Sequence, residues 1–114
     1  KDGLNINIEK YTETKSKLNK SINKFFSSFN KNTIFIFPAI PDSAPAGLES
    51  TGEPKYIAPW TALSGPIVSC STGLDDDKMP VGILLCSHPF KDRFLSNFCM
   101  DIYKKSEYFS GLKF

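Results

Sequence analysis

The chain carries one histidine, three cysteines, a run of three aspartates and a scatter of other carboxylates, and these set what chemistry it could do unaided. His88 lies two residues after Cys86, and side chains two apart on a strand share a face. A thiol and an imidazole so placed could serve as nucleophile and base, provided that the thiol ionises and a third group orients the ring. Cys86 closes an apolar run and has no acid beside it, so His88 reads better as a strand-end histidine meeting backbone or solvent. Asp75, Asp76 and Asp77 lack the alternating ligands, central glycine and closing glutamate of an EF-hand loop and read as a solvated turn rather than a metal site. Asp42, Glu49, Glu53 and Asp92 are further candidate acids and bases, and their spacing pairs no two of them. The phosphate-cradling patterns GxxxxGK[ST] and GxGxxG are missing, as is the GxSxG turn that presents an activated serine, and no cofactor is expected.

What the sequence does supply is a shaped loop. Seven of the eight prolines and five of the seven glycines fall between Phe37 and Leu85, which fixes the backbone there by ring constraint and by positions that favour glycine. Pro38–Pro59 follows neither the helical nor the strand period and is longer than most loops of small domains, so it is expected to line or cover a site. Trp60 and Tyr56 beside it could give a ligand rigid contact area. The alternative is that both pack under the loop, a choice evenly balanced for Trp60 and tilted to packing for Tyr56.

The elements that would hold this loop follow from periodicity. Ile8, Tyr11, Leu18, Ile22, Phe25, Phe26 and Phe29 recur at helical spacing, predicting an amphipathic helix over 8–29 that serves as scaffold. Thr33–Phe37 is continuously apolar, which predicts a strand covered on both faces. Trp60–Ser64 predicts a turn or short helix begun by Pro59. Ile67–Ser71 and Val81–Ser87 predict two strands joined as a hairpin through the polar turn 72–80. Asp92–Lys105 places Phe94, Leu95, Phe98, Cys99 and Ile102 on one helical face, so a closing helix should pack back on the sheet, with 110–114 as a tail. The expected class is α/β, in the order helix, strand, long Pro/Gly loop, two strands, helix.

Composition limits the possibilities further. With 114 residues, 40% of them hydrophobic, one small domain is the ceiling. The 14 basic and 12 acidic residues leave +2, too weak a bias to imply a nucleic-acid partner. Cys70, Cys86 and Cys99 sit in apolar runs without paired spacing and are expected to be free buried thiols of a reducing compartment. No run approaches the roughly 20 apolar residues of a membrane span, and a cytoplasmic protein is expected. The chain begins at Lys1, as a processed product, a trimmed chain or a piece of something larger would.

Read together, PAIPDSAPAGL, TGEP, PWTALSGPIVSCSTGLDDDKMPVGILLCS and KDRFLSNF resemble the C-terminal part of the amidase signature family of serine amide hydrolases. The resemblance spans about Ile8 to Lys105, and its specific core runs from Trp60 to Leu85. Pro66, Ser69, Gly73, Pro80 and Gly82 fit the family pattern, whereas Ser64 stands where the family usually has glycine and Ser71 where it usually has proline. The resemblance implies the final part of a large mixed β-sheet wrapped by helices. It also implies cleavage of a carbon–nitrogen amide bond through a serine acyl-enzyme. The family's lysine and two serines belong to a glycine–serine-rich signature that this chain lacks, so no catalytic residue is expected here. The segment would instead supply sheet edge and pocket wall, with Pro41, Asp42, Tyr56, Trp60 and Thr61 nearest a small amide. Its partner would be the remaining catalytic part of the enzyme, on the same or a separate chain, with a homo-oligomer as a further expectation. The other readings are a non-catalytic binding or scaffold module derived from the same fold and a subunit of a tRNA-dependent amidotransferase.

Overall fold

The computed structural model describes residues 6–41, 45, 47, 49–50 and 52–105, which fall into two compact units, Lys1–Lys31 and Asn32–Phe114. Helix α1, Ile8–Ser27, makes up the first. It starts where it does because Asn7, in extended conformation, accepts the Lys10 N–H on Oδ1 at 2.8 Å, satisfying one of the orphan donors of a helix start. It stops where the Ser27 and Ser28 hydroxyls turn back to donate to the Lys24 carbonyl at 2.9 and 3.0 Å. Glu9 in the first turn and Lys24 in the last complement the helix dipole.

The second unit contains strand β1 (Phe35–Pro38), helix α2 (Ile57–Leu63), strands β2 (Ile67–Leu74) and β3 (Pro80–Cys86), and helix α3 (Asp92–Lys105). The strands form an antiparallel sheet in the order β1-β3-β2. The predicted hairpin is present, with β2 three residues longer than its apolar run. Asp75 closes its turn, its carboxylate accepting the Met79 N–H at 2.8 Å. The mixture of helices with a small antiparallel sheet, in the expected element order, is the architecture the periodicity implied.

Register sorts the side chains into two faces. Phe35 stands opposite Cys86 and Phe37 opposite Leu84, and across the other ladder Ile67 and Ser69 oppose the same two residues. These share one face, and Trp60 of α2 covers it, stacked on Phe37 at 5.2 Å and tilted on Phe35 at 4.9 Å between ring centroids. Leu85, Val68, Ile83 and Cys70 share the opposite face. There α3 packs against β2 and β3, as predicted for the closing helix. The core is therefore a thin three-layer stack centred on β3, whose Leu84, Leu85 and Cys86 are all buried, together with Leu95 of α3.

One expectation is corrected. The continuous apolar run of β1 predicted burial on both faces, but β1 is an edge strand in which Phe35 and Phe37 are covered while Ile36 is 58% exposed. The layer formed by α3 sits over β2 and β3 and leaves Ile36 open.

Candidate functional site

The face of the sheet that α2 covers at one end is open at the other. There β1 continues past its last residue: the Ala39 N–H donates to the Gly82 carbonyl at 3.0 Å, so three strands meet at Ala39, Gly82 and Ser71. Gly82 has no side chain to fill the space. A Cβ there would lie 3.0 Å from the Cys70 carbonyl oxygen and 3.7 Å from the Ala39 Cβ. The result is a shallow groove of about 200 Å³ floored by Gly82 and flanked by Ser69, Ser71, Ala39 and Ile40.

Ile40 joins this groove to a larger open cleft of about 760 Å³. Pro41, Pro45, Ser50, Gly52, Glu53, Pro54 and Asp77 complete its walls. Residues of the irregular proline-rich loop thus line this cleft. The cleft also brings Glu53 near Asp77 of the β2–β3 turn, an association that sequence spacing does not reveal.

A bulge shapes the groove. The β2–β3 register slips between Ser71 and Gly73, leaving Thr72 as the extra residue, and Gly73 takes φ 152°. The Thr72 hydroxyl donates to the Val81 carbonyl at 3.2 Å, replacing a bond that the slipped ladder loses. At the other end of β2, Ser64 caps α2 in the left-handed region, φ 59° and ψ 23°. A side chain there is strained, which is the physical reason that glycine suits this position.

The five sequence-predicted contact residues separate. Pro41 lines the cleft. Asp42 lies outside the described residues. Trp60 packs on β1 rather than lining the cleft, and Thr61 on α2 turns its hydroxyl back to the Ile57 carbonyl at 3.2 Å. Tyr56, the cap of α2, is 36% exposed and does not line the cleft either. Missed from sequence were Ser69, Ser71 and Gly82, whose convergence depends on strand register. The proline-x-glycine opening of β3 was the available signal.

Cys86 and His88 do not make a nucleophilic pair. Cys86 is 0% exposed, and burial raises its thiol from an ordinary 9.0 to about 11, so it stays protonated across the physiological range. His88 is buried too, its ring 6.2 Å from that of Phe35. Above about pH 9 an unfolded chain would lose the Cys86 proton while the folded chain keeps it. Folded stability should therefore be intact below pH 9 and fall between pH 9 and 11, by about 1.4 kcal/mol per pH unit from this thiol. Urea unfolding of Cys86→Ala across that range should lack this increment, and parallel pH profiles for the two proteins would refute the assignment.

The described residues contain no helix long and apolar enough to cross a membrane. No protein-family model, curated protein or solved structure matches the chain.

Proposed function

We propose that this chain forms the pocket-wall segment of a cytoplasmic amide hydrolase, whose serine nucleophile and oxyanion donors are supplied by another part of the enzyme. The observation that carries this reading is the segment Trp60–Cys86. In it a short helix ends in a left-handed cap, a strand bulges at Ser71–Gly73, and Pro80-Val81-Gly82 opens a second strand at the groove floored by Gly82. The amidase-like sequence pattern lies on these features, and Ser64, which replaces glycine, occupies a glycine-favouring conformation. The sheet order leaves β1 and β2 as outer strands, which suits a segment extended by strands from elsewhere.

On this reading the loop walls orient a small organic amide. Pro41 of the cleft wall would face the substrate, joined by Asp42 as the sequence resemblance implies, and Trp60, Thr61 and Tyr56 would fix the packing of α2 behind that wall. The carbon–nitrogen bond would break as the serine oxygen is acylated and the amine leaves with the serine's proton, and water would then hydrolyse the acyl-enzyme to the carboxylic acid and free serine. The native polypeptide or complex carrying this chain should then have a mass several times 12.7 kDa. It should hydrolyse aryl or alkyl amides, and a fluorophosphonate should label a serine outside these residues. Trp60→Phe, which keeps a smaller ring on β1, should raise KM about threefold with kcat nearly unchanged, because the wall that Trp60 packs behind would shift. A native mass equal to that of the chain, or unchanged KM across several amides, would remove the enzyme reading or the role of Trp60 behind that wall, respectively.

A further inference from the structure

The face of the sheet opposite α2 holds a feature that the amide reading does not use. Cys70 on β2 and Cys99 on α3 line one apolar cavity of about 190 Å³, together with Met100, Ile102 and Tyr103. The elements carrying them are packed together. Both cysteines are partly exposed, in contrast to the sealed Cys86. We propose that Cys70 and Cys99 are a dithiol site that hydrogen peroxide oxidises to a disulfide joining β2 to α3.

Burial first, and then the charge of Cys70 and a hydrogen bond to it, hold the Cys99 thiol above its ordinary range, which suits it to the second, resolving attack. Cys70, on the strand side of the cavity, makes the first. Its thiolate attacks one peroxide oxygen, the oxygen–oxygen bond breaks, and hydroxide leaves to become water, giving a sulfenic acid. Cys99 sulfur, on losing its proton, attacks the sulfenic sulfur; a sulfur–sulfur bond forms and a second water departs. Two thiols and one peroxide become one disulfide and two waters. Both sulfurs are oxidised and the peroxide is reduced. The cavity gives the sulfurs room to approach.

The test uses the full native polypeptide with stoichiometric hydrogen peroxide, followed by maleimide blocking and peptide mapping without reductant. A Cys70–Cys99 crosslinked peptide is expected, with a mass loss of about 2 Da reversed by dithiothreitol. Its urea midpoint should rise relative to the reduced protein, because the link constrains the unfolded chain. Cys99→Ser should leave Cys70 as a sulfenic acid that dimedone traps, and continued protection of Cys86 from maleimide reports that this variant is folded. Separate sulfinic acids on Cys70 and Cys99, unmodified thiols, or a crosslink to Cys86 would each overturn the proposal.

Discussion

Leu85→Ala in the native protein should lower the free energy of unfolding by about 3–4 kcal/mol, as large truncations do at sites that cannot collapse. Leu85 is 1% exposed in the middle strand, opposite Ile36 on one side and Val68 on the other. The sheet backbone and the α3 layer over β2 and β3 limit how far the site can close, so much of the cavity would persist. Ile36→Ala is the control on the same face: Ile36 is 58% exposed, and its loss should cost less than about 1 kcal/mol. Urea unfolding followed by the fluorescence of Trp60, with unchanged m-values, measures both. Comparable losses would mean that Ile36 is covered in the native assembly and that β1 is not an outer edge.

The contrast between those two residues also marks where sequence stops informing the fold. The helices α1 and α3 were legible because helical period needs no partner to be recognised, and the β2–β3 hairpin was legible because a polar turn separates two apolar runs. The one-sided burial of β1 was not. Phe35, Ile36 and Phe37 are equally apolar, and which of them is covered depends on where α2 and α3 land.

The same limit applies to the site. Irregular, proline-rich chain announced a lining loop, and Pro41 is found in its wall. The destination of Trp60 could not be decided from sequence, since an aromatic beside a loop serves packing and binding equally well. Its stacking on Phe37 shows a packing role. Ser69, Ser71 and Ala39 gather around Gly82 only through the register of two ladders, and Cys70 meets Cys99 across 29 positions for the same kind of reason. Pairings of this kind are set by tertiary contact and leave no local mark.

Gly82→Val should be the most informative substitution in the groove, with an expected loss of about 2 kcal/mol. Even a single Cβ would stand 3.0 Å from the Cys70 carbonyl oxygen, closer than real Cβ contacts readily allow. That oxygen belongs to the β2 backbone, so relief requires moving a strand and not turning a side chain. Shifting β3 instead would strain the bond from the Ala39 N–H to the Gly82 carbonyl. Valine's strand preference and the smaller entropy of its unfolded chain return up to about 1 kcal/mol each, which is why the net loss is not larger. Gly82→Ala should fall between, near 1 kcal/mol. The pair also separates packing from function. On the proposed amide-hydrolase reading, alanine would fill part of the groove while leaving the sheet folded, so a rise in KM beyond its small stability effect would place substrate over Gly82. Wild-type kinetics with the expected stability loss would restrict Gly82 to permitting the close approach of β2 and β3.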